Sequence, residues 1–149
     1  HTSQSNIRKY QTHVGGYSIP LIFYCPGDST LKGNITPTVS QIDIMASVLD
    51  YINYDTPFFT FGNSVFKSDS NNFSLVSYNG IYQAISNDTA YRFDRNNNIS
   101  SFAYKTDSLL RENLIESGYK VPTLIDRSIK AFIQQHNYRV KNNKLIPTE

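Results

Sequence analysis

Residues 40–66 read SQIDIMASVLDYINYDTPFFTFGNSVF, a run that sets the architecture of the first half of the chain. Ser40 is placed to accept a hydrogen bond from a first-turn amide. Asp43, three residues on, puts negative charge where a helix dipole is positive. Ile44, Met45, Val48, Leu49 and Ile52 then recur at helical spacing, while Ser47 and Asp50 fall on the other side. This spacing predicts an amphipathic helix whose apolar stripe faces a sheet. Asn53, Asp55 and Pro57 end it, because proline lacks an amide donor and restricts the residue before it. A Phe-rich loop leads to Gly62. Upstream, residues 17–27 read YSIPLIFYCPG, and their core, 19–24, is predicted as the strand that the helix covers.

Downstream the pattern changes. Residues 73–78 and 81–86 are short β-prone runs separated by Asn79-Gly80, the dipeptide suited to a two-residue turn with positive φ at both positions. Asn87-Asp88 and residues 96–98 separate two further runs, 89–93 and 99–104, which predicts a four-stranded antiparallel meander. Tyr78, Tyr82, Tyr91 and Tyr104 decorate it. They are read as ordinary cross-strand packing, with a stacking platform for sugars or bases as the alternative. The last third reads as two helices. One runs from Asp107 to Gly118 with Leu110, Leu114 and Ile115 on one face. The other is capped by Thr123 and Asp126, carries Ile125, Ile129, Phe132 and Ile133, and ends near His136. His136 is read as a surface or capping residue rather than a ligand, and His13 as unsupported by any partner at metal-ligand spacing.

The fold class is therefore α/β, becoming α+β if the chain stands alone. It comprises a strand and covering helix in residues 1–66, the meander in 67–105 and helices in 106–149.

Composition narrows the function. A chain of 149 residues and 17.0 kDa holds one core, burying about 70% of its unfolded surface. No apolar run approaches the ~20 residues of a spanning helix, and no signal peptide is recognisable, so the chain as given is expected to be soluble. The net charge of +2 is dispersed, apart from a basic tail around Arg139 and Lys144, which argues against a nucleic-acid partner. Cys25 is the only cysteine, which excludes an internal disulfide, and it is expected to be an inert strand-end residue. Sequons such as Asn34-Ile-Thr36 are expected by chance in a chain this rich in Asn.

The order of these elements resembles the C-terminal part of the alkaline phosphatase superfamily catalytic domain. The nearest branch is the lipoteichoic acid synthase and phosphoglycerol transferase type, with sulfatases as cousins. The resemblance rests on Pro20-Leu-Ile and Pro26-Gly27, then Gln41-Ile-Asp-Ile-Met45, then Phe61-Gly-Asn-Ser-Val-Phe66. It implies that His1 continues an Asp-His pair of metal ligands whose Asp lies just upstream. It also implies a divalent cation in the parent: manganese, with calcium or zinc as alternatives. Family members act by attack of a metal-activated threonine on a phosphodiester head group, forming a covalent phosphoglycerol enzyme. The nucleophile and the remaining ligands belong to a region upstream of the Asp-His pair. One terminal imidazole cannot hold a hard cation, so this chain alone is expected to be inactive and to bind no metal.

The resemblance further implies a parent anchored in the cytoplasmic membrane and acting on its outer side. The expected partner is an anionic lipid head group or a sulfated or phosphorylated glycan. Sulfate-ester hydrolysis is the runner-up chemistry, because the same scaffold handles both oxyanions; Cys25-Pro-Gly-Asp28 itself does not fit the modified-cysteine motif. A reading of another class is a non-catalytic module that binds glycan or envelope polymer. A missing upstream half would leave 19–24 as an exposed sheet edge through which the chain could self-associate.

Overall fold

Asn79 and Gly80 adopt φ of 50° and 77°, the positive pair that a tight hairpin of right-handed twist requires. In the computed structural model, which describes residues 5–67, 73–94 and 96–147, this turn joins β1 (Phe73–Tyr78) to β2 (Ile81–Ser86). Strands β3 (Thr89–Phe93) and β4 (Asn98–Phe102) follow. The sheet order is β1-β2-β3-β4, each pair antiparallel, with an irregularity at Arg92 and Phe93. The last strand starts a residue earlier than the sequence pattern predicts and stops at Phe102. Tyr104 has left the sheet, and its hydroxyl donates to the carbonyl of Asn87 at 3.0 Å.

Register divides the meander into two faces. Leu75, Ala84 and Tyr91 lie across from one another on one side; Val76, Gln83, Arg92 and Ser100 do so on the other. The first face carries the core. Helix α2 (Thr123–Lys141) follows α1 (Asp43–Tyr51) in chain order, and its Ile125, Ile129 and Ile133 pack on Ala84, Phe93, Phe73, Leu75 and Tyr82. Those are the apolar positions that the helical spacing marked. The helix runs a turn past His136 because Arg139 and Lys141 suit its negative pole, and it stops where Asn143 turns to φ 53°. His136 is thus an exposed surface residue rather than a cap. Its ring stacks on Phe132 and lies 5.3 Å from Phe61, while the Arg139 guanidinium sits 4.3 Å from the centre of the Phe59 ring. Thr123 does not cap the helix either: Pro122 precedes it, and the Asp126 carboxylate accepts from Lys130 at 2.8 Å and Asn98 at 3.3 Å.

Two predicted elements do not form. Residues 107–118 are a string of turns, with Leu110 at φ 54°. Their polar groups are spent elsewhere. The Leu114 amide donates to the Ser101 carbonyl, Asn113 Oδ1 accepts from the Ser101 amide, and Asp107 accepts from the Glu112 amide. The segment is tied to the free edge of β4, a competing use of backbone donors that helical periodicity does not reveal. Residues 19–24 form no strand, because no neighbouring strand is present among the described residues to pair with them. Cys25 follows this segment and is exposed rather than buried.

The tyrosines of the meander do not make one platform. Tyr82 stacks on Phe93 with ring centroids 5.5 Å apart, Tyr91 is buried, and Tyr78 stands exposed. Burial, and then the Tyr119 hydroxyl 3.4 Å away, push the Tyr91 phenol up to about 12. A group whose folded value is raised stabilises the fold fully below its unfolded value and loses that contribution as pH rises through the folded one. Tyr91 is therefore expected to stay protonated while ordinary tyrosines ionise near pH 10, with stability declining from about pH 10 towards 12. Absorbance titration of the phenolates, set against Tyr91→Phe, checks this. A variant with an unchanged late titration step and the same alkaline decline would exclude Tyr91 as the source.

Candidate functional site

The side of α1 that faces inward is polar. Asp43 and Ser47 are buried with Ala46, whereas Ile44, Met45, Val48 and Ile52 are exposed. Asp43 accepts from the Ser40 amide at 2.7 Å, the returning half of a capping box, and from the Asn63 amide at 2.9 Å. Ser47 donates to the Asp43 carbonyl at 2.6 Å and accepts from the Val65 amide at 3.0 Å. Ser64 donates to Asp50 at 2.6 Å, and Lys67 pairs with the same carboxylate. Together with the Ser64 hydroxyl, Lys67 holds Asp50 below the usual carboxylate range. The helix thus uses its polar side to clamp the 61–66 turn, and its apolar stripe, expected to face a sheet, has none against it among the described residues. The motifs at 41–45 and 61–66 are brought together by these bonds.

The neighbouring segment is equally bare. Ile22 is 78% and Tyr24 84% exposed. A groove of about 660 Å³ runs between residues 19–23, the loop 30–35 and Ile44, with apolar and polar side chains in its walls. At its rim Tyr51 donates to Asp28 at 2.5 Å, and Thr30 donates to the other oxygen from both its amide and its hydroxyl. These bonds hold the Asp28 carboxyl low and push the Tyr51 phenol up. Partly exposed side chains such as Ile44, Met45, Val48 and Ile52 would each gain roughly 1 kcal/mol on being covered, about half the value for full burial of such a residue.

His1, the predicted metal ligand, lies outside the described residues. Among those residues no three His, Cys, Asp or Glu side chains converge to hold a cation. The described residues by themselves do not fit a metal site. No helix among them is long and apolar enough to cross a membrane.

A second candidate lies on the face of the sheet away from α2. Residues Arg8–Gln11 and Gly15–Tyr17 form successive 3-10 turns. Thr12 staples them, donating to the Lys9 carbonyl at 2.8 Å and accepting from the Gly15 amide at 3.0 Å. Gln83 then pins the pair to the sheet through Nε2, which donates to the His13 carbonyl at 3.0 Å. Gln83 is 6% exposed, and its Oε1 is buried without a donor among the described residues. Such an orphan acceptor costs about 1–3 kcal/mol. Between turns and sheet runs a groove of about 630 Å³ lined by Tyr10, His13, Tyr78, Asn79, Gln83 and Arg92 among others, none of them acidic. Partial burial and then the nearby Arg92 guanidinium hold the His13 imidazole low, so it is neutral at pH 7.

Sequence reasoning dismissed His13 and did not mark Gln83 or Arg92. The alternation of Gln83 with Ala84 carried the only signal, a polar residue on the face opposite the apolar one. No protein-family model, curated protein or solved structure matches the chain.

Proposed function

We propose that this chain is the C-terminal portion of a metal-dependent catalytic domain of the alkaline phosphatase superfamily. On this reading the parent is of the lipoteichoic acid synthase and phosphoglycerol transferase type, anchored in the cytoplasmic membrane and acting on envelope phosphodiesters at its outer side. The observation that carries the reading is the inverted burial of α1: buried Asp43 and Ser47, exposed Ile44, Met45, Val48 and Ile52. With the unpaired segment 19–24 beside it, this is the surface expected of an α/β layer whose remaining strands come from another part of the chain. The resemblance at Pro20-Leu-Ile, Gln41-Ile-Asp-Ile-Met45 and Phe61-Gly-Asn-Ser-Val-Phe66 supplies the identity of that layer.

The described residues then serve as scaffold. The clamp between α1 and the 61–66 turn fixes one wall, and α2 with the meander fixes its own core beside it. Holding a cation and supplying a nucleophile fall to upstream residues together with His1. Without them the bare face is also where isolated chains would associate.

The test is to extend the chain upstream through its own reading frame and assay both lengths with manganese. The extended protein is expected to carry an Asp immediately before His1 and a threonine nucleophile, and to hydrolyse bis(p-nitrophenyl) phosphate. The 149-residue chain is expected to leave that ester intact. Turnover by the short chain, or none by the extended one with either this ester or p-nitrophenyl sulfate, overturns the reading. A clear preference for the sulfate ester moves the assignment to the sulfatases.

A further inference from the structure

We infer that the groove between the N-terminal 3-10 turns and the outer face of the sheet binds a saccharide that carries an anionic ester group. The inference uses the face of the meander away from α2 and does not rest on the transferase reading.

Three features of the groove select this ligand class. The first is charge. Arg92 lines the groove, and no carboxylate pairs with it among the described residues. Lys9 is a second cation next to a lining residue, its Nζ 4.9 Å from the centre of the Tyr10 ring. A planar guanidinium with unspent donors suits a sulfate or phosphate oxygen pair. The second is shape and apolarity. Tyr78 is an exposed ring on the groove and Tyr10 lines the same groove, so aromatic surface is offered there. Pyranose rings present C–H faces that pack on such rings while their hydroxyls stay available.

The third is the hydrogen-bonding inventory at the floor. Gln83 lines the groove, and its buried Oε1 has no donor among the described residues, a need that a sugar hydroxyl meets. The neutral imidazole of His13 and the amide of Asn79 can each donate and accept, which matches hydroxyls rather than a bare anion. A free inorganic anion would use Arg92 and leave the rest idle. The walls are preformed: Thr12 staples the two turns and Gln83 ties them to β2, so little ordering remains to be done on binding.

The experiment titrates the isotope-labelled chain with N-acetylglucosamine 6-sulfate, N-acetylglucosamine 6-phosphate, plain N-acetylglucosamine and inorganic sulfate, following backbone amide signals. At least one ester is expected to shift the amides of His13, Asn79, Gln83 and Arg92. It should bind about 10-fold or more tighter than both the neutral sugar and the bare anion, the gain of one charge-assisted contact. Arg92→Gln is expected to abolish the preference for the ester, and Tyr78→Ala to weaken esters and neutral sugar alike. Both variants must retain the amide pattern of the sheet, which separates loss of binding from loss of fold. Which ester binds tighter distinguishes a sulfated from a phosphorylated glycan. Binding of the neutral sugar or inorganic sulfate as tight as either ester, an unchanged affinity in Arg92→Gln, or no shift at the groove amides overturns the proposal. Binding that survives while the extended chain lacks esterase activity keeps this site and removes only the transferase reading.

Discussion

Ile129→Ala is expected to destabilise the chain by about 2–5 kcal/mol, the range for emptying a core site of three methyl-sized groups. Ile129 is 2% exposed and sits where α2 crosses the sheet, against Ala84 and Phe93. Ala84 is fully buried and too small to fill the space, so the cavity persists after relaxation. At 149 residues the melting temperature should fall by roughly 10 °C. Leu124, exposed on the same helix, serves as the control, and its change to Ala should stay within about 0.5 kcal/mol. Chemical denaturation of the two variants checks both figures. Equal midpoints would mean that α2 is not docked on the meander through Ile129.

Gly62→Ala is expected to cost about 3 kcal/mol, at the upper end of overpacking penalties. A Cβ at this position would lie 2.0 Å from the Ile42 carbonyl oxygen and 2.7 Å from Asp43 Cα, both rigid backbone. No rotamer change relieves such a contact, so the 61–66 turn must move off α1. That movement breaks the bonds from the Asn63 amide to Asp43 and from the Val65 amide to Ser47, leaving a buried carboxylate and hydroxyl short of partners. The loss should be local first. The meander and α2 share a core that does not include α1, so amide exchange should speed up in α1 and the 61–66 turn while β2 and β3 stay protected. Uniform loss of protection would show that the two halves fold as one unit, and unchanged protection in α1 would show that the turn is not seated there.

How much of this was legible in the sequence depends on how local the deciding force is. The meander was read strand by strand, since Asn79-Gly80 and Asn87-Asp88 set turn chemistry within a few residues. Helix α1 was read from its own spacing and from Asp43, and the isoleucines that helical spacing marked on α2 are those that pack in the core. What failed needed partners distant in sequence. The helical spacing of Leu110, Leu114 and Ile115 is genuine, but the edge of β4 captured the backbone around Asn113 instead. His136 was read as a surface or capping residue, and it is exposed, but its ring contact with Phe61 of the Phe-rich loop was not foreseen. The groove was invisible because Gln83, Arg92 and His13 are brought together from three separate segments.

By itself, the sequence determined the four-stranded antiparallel sheet and the helices at 43–51 and 123–141, because turn residues and apolar periodicity act over spans of two to four residues; the same signals also marked a helix at 107–118 and a strand at 19–24, which do not form. Only the tertiary structure decided which side of α1 is inside. Apolar periodicity reports that a stripe prefers burial but not whether a partner is there to bury it, and in this chain the hydrogen bonds of Asp43 and Ser47 to the 61–66 turn settled the orientation.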